Sequence, residues 1–98
     1  ISKERLVEKM CHNPAIAYKL KERGFIREGY KADLVLIDPN KNNIVTQKSL
    51  MYKCDWSPIL NMEFNTSIDT VWINGGIGYH NGEIFPTNPE RLKFEKDR

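Results

Sequence analysis

In this chain of 98 residues, the side chains whose types could do chemistry are His12, His80, Cys11, Cys54, Asp33, Asp38 and Ser57. A zinc site wants three or four ligands, usually including a close pair. His12 stands beside Cys11 at the expected end of a helix, where a cation or cap is the commoner role. His80 precedes Asn81-Gly82 and reads as a hairpin residue. No spacing pairs the two histidines. Cys11 and Cys54 form no C-x-x-C pair, and are expected as buried or half-buried thiols. Ser57 precedes Pro58 without a local histidine, so it reads as a turn hydroxyl rather than a nucleophile. Gly75-Gly76-Ile77-Gly78 resembles a phosphate loop only superficially, because no helix follows it to meet an anion. Asp33 and Asp38 flank an aliphatic run, where strand-end aspartates usually satisfy turns. Trp56 and Trp72 read as packing residues with bonded indole N–H groups. No catalytic, cofactor-binding or metal-binding residue is therefore assigned.

The elements that must position these residues divide the chain at its centre. Ser2 is an N-cap with Glu4 in the first turn, and Leu6, Val7, Met10 and Cys11 form one stripe of an amphipathic helix. Asn13-Pro14 predicts a corner and a second helix, ending on cations with Gly24 just past its end. Gly24 to Pro39 then changes the character of the chain. Leu34, Val35, Leu36 and Ile37 are a continuous apolar run, which suits a strand covered on both faces. Asp38-Pro39 stops it. Short strands are expected at Ile44 to Thr46, Ile68 to Ile73, Ile77 to His80 and Glu83 to Phe85, with tight turns at Asn74-Gly75-Gly76 and Asn81-Gly82. Gln47 to Tyr52 reads as a turn or short helix, and Lys53 to Asn65 as an irregular loop pressed on a neighbour.

Composition narrows the classes of function. Hydrophobic content of 40% and charged content of 29% suit a folded soluble chain. Fifteen basic and 13 acidic residues leave a net charge of +2. The tail alternates Arg91, Lys93, Lys96 and Arg98 with Glu90, Glu95 and Asp97, a solvated mixed-sign end rather than a nucleic-acid stripe. No apolar run approaches the roughly 20 residues of a membrane span, and no signal peptide is expected. Neither nucleic acid nor membrane is expected as a partner, and the cysteine usage points to a cytoplasmic location. The start on Ile1 is expected of a cut from a longer protein, and equally of a processed or tagged chain. On these grounds the chain is a soluble α+β piece without an assembled active site.

Four stretches carry a resemblance. Gly24 to Asp38 resembles the G-x-I-x-x-G-x-x-A-D-L-V-L-x-D segment near the C-terminus of cyclic amidohydrolases. Asn13-Pro14-Ala15 resembles the N-P-A corner of their last helices. Lys53-Cys54-Asp55-Trp56-Ser57-Pro58 is similar to the K-C-G-W-S-P loop of dihydroorotases, with Asp55 in place of the glycine. Ile59-Leu60-Asn61 stands where that loop continues with phenylalanine, an acid and glycine. Val71 to Gly75, with Tyr79 and Gly82, matches the closing V-x-x-N-G…Y-x-x-G hairpin.

The resemblance implies a (β/α)8 barrel with its site at the C-terminal ends of the strands. It also implies two metal ions, usually zinc, and a reaction interconverting N-carbamoyl-aspartate and dihydroorotate in pyrimidine biosynthesis. The implied ligands are a His-x-His pair, a carboxylated lysine, two histidines and an aspartate, all upstream of this sequence, so no zinc is expected here. Residues 1–23 are then terminal helices packing on the barrel. Residues 24–98 are the C-terminal part of a small composite β-sandwich domain. The expected partners are the rest of the parent chain, a small-molecule substrate in the parent only, and further copies of the protein. A free-standing β module that binds a protein or ligand, or the tail of a hydantoinase or allantoinase, are the alternatives. Half a sandwich leaves edges and apolar faces unpaired. The chain is therefore expected to sediment as a dimer or larger; a monodisperse monomer at ~100 µM, well within the micromolar range of specific association, would contradict this.

Overall fold

A computed structural model describes residues 2–54 and 56–95; Asp55, at the departure from the tryptophan-loop pattern, lies outside them, as do Lys96 to Arg98 of the tail. The N-terminal part is one helix, not a helix, corner and helix. It runs through an α-helical stretch (Lys3–Val7), a π-helical turn (Glu8–His12) and a second α-helical stretch (Asn13–Ala17). Ser2 caps it by accepting the Arg5 N–H at 3.1 Å. The widened turn explains why Pro14 does not break the axis. Proline has no amide to donate, and its ring crowds the carbonyl four residues back. The Asn13 N–H reaches instead to the Glu8 carbonyl, five residues back, which opens the helix just before the ring.

The helix also ends earlier than Gly24. Leu20 N–H bonds to the Ala15 carbonyl at 2.9 Å and Lys19 N–H to the Ile16 carbonyl at 3.2 Å, with Lys19 at φ 55°. That is a Schellman closure with lysine in the left-handed position usually held by glycine. Freed from the helix, Leu20 pairs with Phe94 in an isolated antiparallel bridge, flanked by Lys21 N–H to Lys93 O and Glu95 N–H to Lys19 O, both 2.8 Å. Gly24 has a different task. At φ +89° it brings the chain against the helix, where an added Cβ would lie 2.4 Å from the Ala15 Cβ and 2.8 Å from the Cys11 carbonyl oxygen.

The remaining chain forms two antiparallel sheets. Strands β1 (Leu34–Asp38), β4 (Ser67–Ile73), β5 (Gly76–His80) and β6 (Glu83–Ile84) make a four-stranded sheet in the order β1-β4-β5-β6. Strands β2 (Asn43–Ile44) and β3 (Glu63–Phe64) make a two-stranded one, so the irregular stretch from Lys53 to Asn65 does contain a strand. A 3-10 turn (Gln47–Ser49) with a Thr46/Ser49 capping box lies between them. The fold class is α+β, as the residue pattern implies. Asn74-Gly75 and Asn81-Gly82 each take two successive positive φ angles (49° and 83°; 47° and 91°). This mirror-image turn matches the twist of a two-residue hairpin. Register slips between Val71 and Trp72, leaving Gly78 as the extra residue of β5.

Very little of this chain is interior. Among the described residues, Ala15 is the one buried apolar side chain, joined by buried Ser57 and Thr70. The β1 run alternates faces, yet Leu36 on one side is 50% exposed and Val35 and Ile37 on the other are 56% and 54% exposed. Ile68, Ile77 and Ile84 are exposed too, as are Leu6, Val7, Met10 and Ile16 on the helix. The radius of gyration, 15.7 Å, exceeds the ~13 Å of a compact domain of about 100 residues. Order therefore rests on ladders, turns and polar ties. The Gly24 contact is one of the few tight packings, so Gly24→Ala should destabilise the chain by about 3 kcal/mol, combining left-handed strain with overpacking. Gly29→Ala, at φ +83° with nothing within 4 Å, should cost only about 1 kcal/mol. Urea melts of the two variants will give that order, and equal costs would contradict it.

Candidate functional site

The polar residues that the fold does gather lie where the helix exit, the crossing into the sheet, the first hairpin turn and the tail meet. Asp33 is at the centre. Its Oδ2 pairs with the Arg23 guanidinium, and its Oδ1 accepts the Asn74 N–H at 2.7 Å. The Arg23 side chain is 15% exposed and that of Asp33 31%. The second guanidinium nitrogen of Arg23 donates to the Glu90 carbonyl at 2.9 Å. The Gly75 N–H donates to the Ala32 carbonyl at 3.0 Å, and the Asn74 Nδ2 to the Asn88 carbonyl at 3.1 Å. Lys31 Nζ meets the Glu90 carboxylate at 2.7 Å, while its own N–H donates to the Glu22 carbonyl at 2.9 Å. The hydrogen bond between them, then their mutual attraction, raises the Lys31 ammonium above its ordinary 10.5 and lowers the Glu90 carboxyl below 4.5.

The other candidate side chains are bound into local structure. His12 stacks on Phe25 with centroids 4.2 Å apart and planes 8° apart. Because the helix runs on to Ala17, His12 lies within it rather than at the end expected from the sequence. The Arg27 guanidinium lies 4.1 Å from the same ring centre and also covers Tyr30. Both groups cannot occupy one face at that distance, so Phe25 is held between a histidine and an arginine. His80 is opposite Thr70 in the β4–β5 ladder, its Nδ1 2.9 Å from the buried Thr70 Oγ1 and 3.7 Å from Asp69 Oδ1. Asp38 accepts the Asn40 N–H at 2.9 Å, closing the turn after β1. Ser57 accepts the Ile59 N–H at 3.2 Å and is the turn hydroxyl its sequence implies.

Two expectations are corrected. Cys11 and Cys54 are both exposed free thiols, not buried ones. Each lies on an element whose apolar neighbours are themselves uncovered. Trp56 is 66% exposed rather than packed. Its loop is tied mainly by short-range bonds, including one from the Tyr52 hydroxyl to the Trp56 carbonyl. Asn61, where the resembling loop has glycine, takes φ 68°. Asparagine tolerates this conformation better than most residues other than glycine.

Residues 1–78 match the amidohydrolase family. The chain belongs to that family. It is 35% identical over 74 residues to a dihydroorotase of Clostridium acetobutylicum, a match covering 76% of this chain and 17% of that enzyme. It is 31% identical over 75 residues to a 5-methylthioadenosine/S-adenosylhomocysteine deaminase of Dictyoglomus thermophilum, covering 76% of this chain and 16% of the relative. An allantoinase of Rubrobacter xylanophilus is 27% identical over 99 residues, covering 95% of this chain and 22% of the relative. The chain thus spans about a fifth or less of the length of these amidohydrolases.

Family membership raises the question of a metal. Among the described residues, no group of three or more His, Cys, Asp or Glu side chains is placed to hold one. Their side chains do not by themselves fit a metal centre. Asp33 is visible in the sequence, but the residues joined to it, directly or through Arg23, are not. Arg23, Asn74 and Glu90 are 10, 41 and 57 positions away, and no local pattern marks them. Asp33→Ala should destabilise the chain by about 2–3 kcal/mol, the range for losing charge-assisted hydrogen bonds. Asp33→Asn, which keeps an acceptor for the Asn74 N–H, should cost roughly half as much by the same scale. Equal melting of Asp33→Ala and the parent sequence would show that the junction does not depend on this carboxylate.

Proposed function

We propose that this chain is the C-terminal, non-catalytic segment of a metal-dependent cyclic amidohydrolase of the dihydroorotase type. The parent would interconvert N-carbamoyl-aspartate and dihydroorotate, with two zinc ions held by residues upstream of those described. Residues 1–23 would pack the helix on the barrel, and residues 24–98 would supply their share of a composite β-sandwich. The observation that carries this reading is the state of β1. The strand within the G-x-I…A-D-L-V-L motif is apolar on both faces and half-exposed on both, so it is built to be covered by further chain. The apolar stripe of the helix makes the same demand.

Dihydroorotase is preferred among the amidohydrolases because the Lys53-Cys54-Asp55-Trp56-Ser57-Pro58 loop is similar to the dihydroorotase loop. Dihydroorotases also recur among the relatives, at 35–36% identity. Its partners would be the rest of the parent chain and further copies of itself. The cytoplasm is the proposed compartment, since two exposed unpaired thiols suit a reducing one. Among the described residues no helix is long and apolar enough to cross a membrane.

The test is a pair of assays with zinc present. The full-length chain containing this segment should hydrolyse dihydroorotate, and the 98 residues alone should not. Turnover by the 98 residues would overturn the non-catalytic assignment. Turnover of allantoin or deamination of an adenosine derivative by the full-length chain, without dihydroorotate hydrolysis, would move it to another branch of the family.

A further inference from the structure

A cavity of about 110 Å³ opens beside the Arg23–Asp33 junction, lined by Lys21, Glu22, Arg23, Lys31, Arg91 and Lys93. We propose that it is a binding site for a dianionic phosphate group.

Five of its six lining residues are cationic. Arg23 and Lys31 already have counter-ions, Asp33 and Glu90, which fix the cations in place instead of leaving them mobile. Among the described residues, no ion pair engages Lys21, Arg91 or Lys93. Counting the five cations against Glu22, Asp33 and Glu90 leaves a charge of +2 at the cavity. A phosphate monoester carries close to two negative charges at neutral pH.

The backbone makes this concentration of charge unavoidable. The Leu20–Phe94 bridge and the bond from Lys21 N–H to Lys93 O set an antiparallel register that places Lys21 opposite Lys93. Like charges directly opposite across paired strands repel and destabilise the pairing. An anion between them reverses the sign of that interaction. The next residue, Glu22, adopts φ 61°, an uncommon state for a residue other than glycine. Its carbonyl accepts the Lys31 N–H, closing the wall of the cavity. Strained backbone of this kind tends to gather at binding sites.

Size and donor type favour phosphate over a simple carboxylate. The volume is well beyond the roughly 10–15 Å³ that one water requires on this measure, so a tetrahedral oxyanion fits with bound water. Arg91 offers a planar fork of donors that matches two phosphate oxygens at once, and the lysines supply point charges around it. The tail therefore does more than present mixed charges to solvent. Arg91 and Lys93 both turn to one cavity.

The site is tested by titrating the full-length chain with inorganic phosphate and, separately, with methyl phosphate, against chloride at equal ionic strength. Phosphorus NMR line-broadening and thermal melting provide readouts independent of turnover. The expected result is saturable binding and a rise in Tm that chloride does not reproduce. Binding of methyl phosphate as well as the free ion assigns the site to phosphate esters; binding of inorganic phosphate alone assigns it to the free ion. Either result supports the site. Lys93→Gln and Arg91→Gln should each weaken binding by about tenfold, equivalent to about 1.4 kcal/mol. Lys48→Glu, on the distant 3-10 turn, should leave it unchanged. A response that chloride matches, or unaltered binding in both glutamine variants, would overturn the proposal. Because the readout is binding, failure here leaves the amidohydrolase reading intact, and loss of that reading leaves this site standing.

Discussion

The Asp33 carboxylate sets the geometry on which the rest of this chain depends. One oxygen takes the guanidinium that follows the helix, and the other takes the amide that opens the β4–β5 turn. Two segments distant in sequence are thereby fixed to one side chain. A small carboxylate can do this because its two oxygens accept in different directions at once. Its partial burial keeps the interaction from being fully screened, unlike the exposed Arg5–Glu8 pair on the helix. The same guanidinium then reaches the Glu90 carbonyl, so the tail is held by the junction rather than by a core.

This dependence on polar ties follows from how little apolar surface is buried. Hydrophobic burial is the main force that offsets chain entropy in ordinary domains. Here the aliphatic run of β1 and the helix stripe remain largely open. The polar junction can specify how the helix leads into the sheet. It cannot replace the stabilisation that burial of those faces would give. Shape is thus set by local turns, ladders and polar ties, while the exposed apolar faces add little to stability.

What the sequence made legible, and what it hid, follows the range of the interactions involved. Asn74-Gly75 and Asn81-Gly82 announce their turns because positive φ is a property of the residues themselves. The β1 run announces a strand for the same local reason. The Asn13-Pro14 corner was misread because a π turn lets the helix absorb proline, and nothing in the composition of Glu8–His12 signals that turn. The helix end was placed too late because Gly24 looks like a cap. Lys19 takes the left-handed position instead, which frees Leu20 to bridge Phe94. That bridge, like the Asp33 junction and the cationic cavity, joins residues too far apart for any spacing rule. The exposed thiols and Trp56 were missed for a related reason: apolar neighbours in sequence imply burial only if the chain itself can cover them.

The chemistry-bearing side chains lead to the same division between shape and activity. His12 is committed to Phe25, His80 to Thr70, Asp38 to its turn, Ser57 to Ile59 and Asp33 to Arg23 and Asn74. A general base or metal ligand needs a free lone pair aimed at a shared point. These groups make their contacts at separate places in the fold, so they converge on no shared point. The motif that marks the family most clearly is therefore a device for building a crossing. Its glycines permit the path, its aspartate fixes the corner, and its aliphatic run forms β1 against β4. The contacts of this motif build the passage from helix to sheet, and its aspartate acts there as the acceptor that joins Arg23 to the β4–β5 turn.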